Sequence, residues 1–192
     1  MSDCCVVKVG GSLFDLPDLR QRMQRFLGDL DAQRVLLVPG GGAAADVVRA
    51  LDRVHGLGEE ASHWLALQAM SVNARFLGAL LPEAPLVSLA CASGSDARLL
   101  ILDALPFFQA DEANPAHLPH RWQVTSDSLA VRAAALFGAR ELILMKSVSW
   151  PGSGKAISAE IVDGYFAQAL ATVPQLRVRI VNLREGKEPR TQ

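Results

Sequence analysis

Two short valine-rich runs, each followed by glycines, constrain the fold of this chain more than any other feature of its sequence. The first, residues 6–9, leads into Gly10-Gly11, and the second, residues 35–38, leads into Pro39-Gly40-Gly41-Gly42. Runs of this length that end in turn residues are typical of buried strands. The apolar residues between them recur at helical spacing: Leu16, Leu19, Met23, Phe26, Leu27 and Leu30. The pattern predicts a strand, a turn, a helix and a second strand.

The rest of the chain continues this alternation. Helices are predicted over 43–54, 59–80, 127–137 and 163–171, strands over 86–90, 99–102, 141–145 and 177–182, and a loop over 109–123. Alternating strands and helices favour a parallel sheet between helical layers. We therefore predict an α/β fold, a three-layer α-β-α sandwich with a mostly parallel central sheet. One domain is expected over 1–183, followed by a solvated tail over 184–192.

Composition narrows the class of function. The formal net charge is -1, so the chain has no basic surplus with which to bind a nucleic-acid backbone. Its amino terminus lacks the features of a signal peptide, and its apolar stretches are interrupted before the roughly 18 to 20 residues that a membrane span needs. Cys4, Cys5 and Cys91 lack metal-binding spacing. We expect free thiols in a cytoplasmic protein that binds a small molecule.

The glycine turns are the first candidate site. In an open parallel sheet, ligands bind at the carboxyl ends of the strands, and both turns fall there. Glycines let the backbone approach an anion closely, and Lys8 adds a positive charge two residues before the first turn. A single Gly-Gly after a strand is often only a tight turn. Two such turns with a lysine favour a phosphate site, and no P-loop sequence occurs in the chain.

Three motifs together resemble the amino-acid-kinase superfamily. They are Val6-Val-Lys-Val-Gly-Gly-Ser12, then Val38-Pro-Gly-Gly-Gly42, then Ser126-Asp-Ser-Leu-Ala130 before an apolar strand. The resemblance implies ATP as the phosphoryl donor, Mg²⁺ carried by the nucleotide phosphates, a small-molecule acceptor and a homo-oligomer. The residues it implies for the phosphoryl group are Lys8, Gly10, Gly11 and Ser12, with Gly40, Gly41 and Gly42 at the acceptor and Asp127 orienting the lysines.

The family also places a nucleotide loop after the strand predicted over 141–145. The resemblance therefore assigns Lys146, Ser147 and Val148 to the nucleotide, and Lys155 as a second catalytic lysine. Lys146 also fits a solvated surface lysine, and Asp127 also fits an ordinary helix cap. The chain departs from the family here, because Lys146-Ser-Val-Ser149 stands where Asp-Val-Asp-Gly is usual, and the usual carboxyl-terminal Gly-Thr segment is missing.

A narrower resemblance lies in the stretch from Leu118-Pro-His-Arg-Trp122 to Thr125-Ser-Asp-Ser128. It is similar to the short amino-acid kinases of methanofuran synthesis, the aminomethylfuranylmethyl phosphate kinases, which convert a phosphate monoester into a diphosphate. The resemblance implies acceptor contacts from the following residues: His117, His120, Arg121, Trp122, Thr125 and Ser126. The alternative is a loop that Trp122 packs over the sheet. The histidines have metal-ligand spacing, but the sequence shows no further ligand, so we predict no protein-bound metal.

Three functions remain open from the sequence. The first is an ATP-dependent phosphotransferase for a small phosphorylated or carboxylated acceptor, with a furanylmethyl phosphate as the named candidate. The second is a nucleoside monophosphate kinase similar to uridylate kinase. The third is a non-catalytic ligand-binding or partner subunit on the same fold, because a fold does not determine a function.

Overall fold

Six parallel strands form one sheet at the centre of the molecule. The computed structural model describes residues 4–88, 94–150 and 161–185. Within these ranges the strands are β1 (Cys4–Val9), β2 (Arg34–Pro39), β3 (Leu86–Val87), β4 (Leu99–Leu102), β5 (Glu141–Lys146) and β6 (Arg177–Asn182). Their order across the sheet is β3-β4-β2-β1-β5-β6, and every neighbouring pair is parallel.

The described residues contain six helices. They are α1 (Leu19–Asp29), α2 (Gly42–His55), α3 (Gly58–Leu80), α4 (Ala104–Asp111), α5 (Ser126–Phe137) and α6 (Phe166–Ala171), with a 3-10 turn over Gly11–Leu13. Five of them pack on the two faces of this sheet, while α2 packs on α3. None of the helices in the described part of the chain is both long and apolar enough to cross a bilayer. The predicted three-layer α/β sandwich is confirmed, and within the described residues its sheet is parallel throughout.

Alternation along the strands divides the core into two halves. On β1, Cys5, Val7 and Val9 are buried with the apolar side of α1 and the end of α3. Cys4 and Val6 point the other way, into the cluster that contains α4, α5 and α6. Successive side chains of a strand point to opposite faces, so Lys8 shares the face of Val6 and reaches toward α5. Cys4 and Cys5 are free thiols, as predicted, and Cys91 lies outside the described residues.

The structure differs from the sequence prediction at two helices. Helix α4 was not predicted, and its last residues fall within the predicted loop 109–123. Pro106 lies in its first turn, where a missing N–H does no harm, and Phe107 and Phe108 supply its buried side. The last helix begins at Phe166 rather than at residue 163. Residues 89–90 of the predicted strand 86–90 lie outside the described residues.

A buried ion pair joins α4 to α5. Arg132 donates from Nε to Oδ2 of Asp111 over 2.7 Å and from Nη2 to its other oxygen, and the Asp111 side chain is only 2% exposed. A buried carboxylate that loses its only strong cation keeps its desolvation cost without compensation. This pair therefore fixes the position of α4, from which the loop toward α5 departs.

Replacing Arg132 with alanine is expected to lower the free energy of unfolding by about 3 kcal/mol, because Asp111 would be left buried without its partner. Chemical denaturation measured by circular dichroism would test this. Arg20→Ala, at an exposed position on α1, is the control and should change stability by less than about 0.5 kcal/mol. Equal stability of the two variants would show that the ion pair does not stabilise the fold.

Candidate active site

The two glycine turns lie against each other at the carboxyl edge of the sheet. β1 and β2 are neighbours, and the amide of Gly40 donates to the carbonyl of Val9 over 2.8 Å. A Cβ atom on Gly11 would lie 2.2 Å from the amide nitrogen of Gly42, and Gly42 itself has a φ of +50°. Side chains are excluded from both positions for these reasons. The turns predicted to bind donor and acceptor thus form one continuous backbone surface.

Asn73, on α3, holds the second turn in place. Its Nδ2 donates to the carbonyls of Gly40 and Gly41 over 2.7 and 2.8 Å. These carbonyl oxygens are thereby satisfied within the protein. The sequence analysis did not identify Asn73, because nothing near it in sequence indicates a partner 32 or 33 residues away.

Two lysines share one buried carboxylate beside the first turn. Nζ of Lys8 lies 2.9 Å from Oδ1 of Asp127, and Nζ of Lys146 donates to Oδ1 and Oδ2 over 2.9 and 2.7 Å. Lys8 is 5% exposed and Asp127 is 4% exposed. Two cations and one anion give this cluster a net charge of +1 when all three are ionised. The cluster is therefore suited to binding an anion at the sheet edge.

This geometry decides between the interpretations of Lys146 and Asp127 that the sequence left open. Lys146 is not a solvated surface lysine, since its side chain is 12% exposed and bound to Asp127. Asp127 is not simply a helix cap, because its carboxylate lies between Lys8 and Lys146. Lys155, which was predicted to be a second catalytic lysine, lies outside the described residues.

Burial and charge shift the ionisation of this cluster. Burial, followed by the nearby charge of Lys8, lowers the pKa of Lys146 to about 8. For Asp127, burial alone would raise the pKa, but the charges and hydrogen bonds of Lys8 and Lys146 outweigh it and lower the pKa. Lys146 therefore loses its positive charge over a pH range in which an ordinary lysine keeps it.

The start of α5 is capped by Asp163, a residue from a later segment of the chain. Its Oδ2 accepts from the amide of Thr125 over 3.0 Å, from the Thr125 hydroxyl over 2.8 Å and from the amide of Ser128 over 2.9 Å. The Ser128 hydroxyl donates to Oδ1. This contact satisfies free N–H groups of the helix terminus, so Asp127 is left for the lysines.

A cavity of about 170 Å³ opens beside the glycine turns. Eight of the residues predicted to bind phosphate or acceptor line it: Gly11, Ser12, Gly41, Gly42, Arg121, Trp122, Thr125 and Ser126. The structure adds Asp46, Arg49 and His63, which the sequence analysis did not identify. The apolar part of the wall comes from α3 and α5, through Leu67, Met70 and Leu129.

Trp122 both lines the cavity and is tied to α2. Its indole Nε1 donates to Oδ2 of Asp52 over 2.8 Å, which ties the loop to α2. Its ring also lines the cavity, and the guanidinium carbon of Arg49 lies 5.5 Å from the ring centroid. Such a distance is within the range of cation–π attraction. The indole is thus a fixed wall with a cation beside it, while Arg49 also bonds Asp46.

Two predicted acceptor contacts, His117 and His120, do not line this cavity. His117 lines a different cavity, and His120 lies between Glu60 and Glu112. The imidazole that lines this cavity is instead that of His63. Burial, followed by the charge of His120, lowers the pKa of His63 to about 4, so this ring is neutral at pH 7. The histidines of the loop were assigned to the acceptor because of sequence proximity to Trp122, but their contacts lie elsewhere.

Several of the residues predicted for the nucleotide lie at or beside the first turn. The hydroxyl of Ser12 donates to that of Ser147 over 3.0 Å, and the amide of Gly10 donates to the carbonyl of Met145 over 2.9 Å. Val148 is half exposed. The structure therefore brings Gly10, Ser12 and Ser147 together beside the lysine cluster.

Known proteins resemble this chain in sequence and in fold. A profile of the amino acid kinase family matches residues 3–149. The [5-(aminomethyl)furan-3-yl]methyl phosphate kinase of Methanocaldococcus jannaschii is 27% identical over 147 residues, a match that covers 74% of this chain and 65% of that protein. The chain thus spans slightly less than two thirds of the length of this relative.

Solved structures give the same fold. UMP kinase from Ureaplasma parvum superposes with a TM-score of 0.65 and 13% identity, over 96% of this chain and 91% of that one. Uridylate kinase from Archaeoglobus fulgidus gives a TM-score of 0.62 and 16% identity, over 94% and 92%. The TM-scores establish the shared fold, and the profile match establishes the family predicted from the three motifs. The chain belongs to the amino acid kinase family.

Proposed function

We propose that this chain is an ATP-dependent phosphotransferase whose transferring phosphoryl group lies against the first glycine turn and the lysine cluster. The observation that carries this proposal is the pair Lys8 and Lys146 on a single carboxylate, Asp127, at the edge where both glycine turns meet. Phosphoryl transfer requires positioning and neutralisation of charge more than covalent chemistry from the protein. The two ammonium groups would supply that charge, and Asp127 would hold them in position.

The described residues fit Mg²⁺ that arrives with the nucleotide. Asp127 is bound by both lysines. Asp46, which lines the cavity, accepts a hydrogen bond from Arg49. Both of these carboxylates are therefore already paired. Mg²⁺ is commonly held by substrate phosphates with few protein ligands. When bound, the ion would neutralise phosphate charge, while Lys8 and Lys146 orient the phosphoryl oxygens. We propose that Lys155, together with Ser147 and Val148, completes the nucleotide side.

The proposed acceptor is a furanylmethyl phosphate, which would be converted to its diphosphate. The M. jannaschii relative supports this choice by its name, and the cavity supports it by its chemistry. Trp122 offers an aromatic wall for a small ring, while Arg49 and Arg121 offer cations for a phosphate. The volume of about 170 Å³ is below the roughly 300–1,000 Å³ of sites for larger ligands. This volume is in keeping with a small acceptor.

ADP release with MgATP across a panel of acceptors tests this proposal. The panel contains the furanylmethyl phosphate, UMP and simple hydroxy acids, and ³¹P NMR identifies the product. We expect turnover with the furanylmethyl phosphate and a new diphosphate signal. Turnover with UMP alone would establish the uridylate-kinase alternative, which the shared fold supports. Ligand binding without turnover on any acceptor would establish the non-catalytic alternative, which the replaced acidic loop motif supports.

Arg121→Ala is expected to raise the KM for the acceptor at least about tenfold while leaving the KM for ATP unchanged, because it removes a cation from one substrate only. Steady-state kinetics with each substrate varied in turn would measure this. Arg53→Ala, an exposed arginine on α2, serves as the matched control and should change neither constant. Parallel increases in both constants would place Arg121 outside the acceptor site.

The lowered pKa of Lys146 gives the reaction an expected pH dependence. The group is protonated below a pKa of about 8 and neutral above it, so its positive charge is lost as pH rises. We expect kcat/KM for ATP to fall as pH increases through about 8. Lys146→Arg keeps the charge at high pH and should shift or remove this decline. An identical alkaline decline in Lys146→Arg would assign the titration to another group.

We also propose that residues 1–183 form one domain and that copies of the chain associate. One sheet contains strands from Cys4 to Asn182, which supports the single domain. Arg184, at the start of the predicted tail, donates to the carbonyl of Ser12 over 2.7 Å, while residues 186–192 lie outside the described ranges. Val47, Leu51 and Val54 are exposed apolar side chains on α2. Their spacing gives a surface suited to a partner copy, which light scattering would measure.

A further inference from the structure

The loop between α4 and α5 brings together three groups with metal-ligand chemistry that do not line the acceptor cavity. Glu112, His117 and His120 each offer a ligand atom, and these atoms all lie within 4.8 Å of one another. Nε2 of His120 lies 3.0 Å from Oε1 of Glu112, and Nδ1 of His117 lies 3.7 Å from the same oxygen. We propose that these three residues bind a divalent transition metal ion, with Zn²⁺ as the best match.

The ligand set and its spacing favour Zn²⁺. Two imidazole nitrogens and a carboxylate oxygen are a common three-residue set for this ion, with a fourth position left to water. Ligands about 2.0–2.1 Å from a tetrahedral Zn²⁺ lie about 3.3 Å from one another. The observed separations require a modest closure, and the His117 side chain, at 38% exposed, has room for it. The soft and borderline metals prefer imidazole, whereas Mg²⁺ and Ca²⁺ prefer oxygen alone.

The surroundings of His120 provide a second, independent observation. Its other ring nitrogen, Nδ1, lies 2.7 Å from Oε2 of Glu60 on α3. A carboxylate on the far nitrogen orients a metal-binding histidine and leaves Nε2 toward the ion. His63 stacks on the same ring, with centroids 4.4 Å apart and planes 16° apart. Glu60 is itself held by the indole N–H of Trp64 over 2.7 Å. The His120 ring is therefore fixed before any ion binds.

An ion at this position would tie three parts of the fold together. Glu112 directly follows α4, His117 and His120 belong to the loop, and Glu60 connects His120 to α3. The next residues of the loop are Arg121 and Trp122, which line the acceptor cavity, and His63 lies between that cavity and His120. The ion would thus position the acceptor wall. This last consequence depends on the proposed acceptor, whereas binding of the ion does not.

Metal binding to the full chain without an affinity tag tests the site. Protein stripped with chelator is dialysed against Zn²⁺, and its metal content is measured by mass spectrometry. We expect one Zn²⁺ per chain and a rise in thermal midpoint. His117→Ala and Glu112→Gln should each abolish stoichiometric binding, and Glu60→Gln should weaken it about 10- to 100-fold. His55→Ala, at an exposed position on α2, is the matched control and should bind like the unaltered protein.

Substitution with Co²⁺ gives a second readout that does not depend on stability or turnover. A nitrogen-containing tetrahedral site should give an intense visible absorption band, which His117→Ala should remove. Two results would overturn the proposal. One is less than stoichiometric Zn²⁺ in the unaltered protein, which would leave His120 as a hydrogen-bonded bridge between Glu60 and Glu112. The other is Zn²⁺ binding by His117→Ala and Glu112→Gln equal to that of the unaltered protein, which would place the ion elsewhere.

Discussion

Lys8→Met is expected to lower kcat by about 10³-fold or more, which is the scale of losing a cation that stabilises the transferring phosphoryl group. Lys8 is buried at the end of β1, beside Asp127 and the first glycine turn. Methionine has a similar length and no charge, so Asp127 keeps one cation, Lys146, and the pair is neutral. We therefore expect a small change in thermal midpoint together with a large loss of turnover.

Measurement of both quantities on the same preparation distinguishes chemistry from folding. Lys8→Arg serves as a companion variant, because it keeps the charge but displaces it, and should retain more activity than Lys8→Met. Turnover within about tenfold of normal in Lys8→Met would remove Lys8 from the phosphoryl site. The position of Lys8 was predicted at the crevice, and its near-complete burial was not.

Asp127→Asn should have a large effect on both activity and stability. The change leaves Lys8 and Lys146 buried together without an anion, which is expected to cost about 3 kcal/mol of unfolding free energy. Loss of the orienting carboxylate should lower kcat at least about 10²-fold. Because the pKa of Asp127 is lowered in the folded protein, its stabilising contribution is present above the pKa of an unfolded aspartate and is lost as pH falls.

The pH dependence therefore provides a specific check. Denaturation of the unaltered protein and of Asp127→Asn is compared near neutral pH and at acidic pH, where the difference in stability should shrink. A loss of about 3 kcal/mol of unfolding free energy with normal turnover would assign Asp127 to the fold alone. Asp163→Asn is a useful comparison, since Asp163 caps α5 without contacting either lysine in the interactions described here. It should affect stability more than the alkaline pH profile.

Local patterns predicted the parts of this molecule that depend on neighbouring residues. The valine-rich strands, the glycine turns and the end of α5 at Gly138 were predicted because strand period, turn chemistry and a glycine helix end can be read within a few residues. Helix α4 was missed because a single residue, Asp103, separates its apolar residues from those of β4.

The missed parts of the candidate site are contacts between distant segments. Asn73 reaches the second glycine turn, Asp163 caps α5, and His63 stands at the cavity where His120 was expected. None of these pairings has a local signature, since each depends on how helices pack on the sheet. Lys146 was ambiguous for the same reason, because its burial is set by Asp127 on another element. The resemblance to a family predicted a site residue in spite of this only where the residue belongs to one of the recognised motifs.

The order of strands in the sheet also affects how the site arises during synthesis. β1 lies between β2, which follows it closely in sequence, and β5, which begins at Glu141. At typical ribosomal rates, β5 emerges about 10 s after β1. During that interval one edge of β1 has no native strand to pair with, and the lysine of β1 has no carboxylate beside it. An unpaired edge of this kind can pair wrongly with other chains, so chaperone binding to partly synthesised chains should end once α5 and β5 have been made.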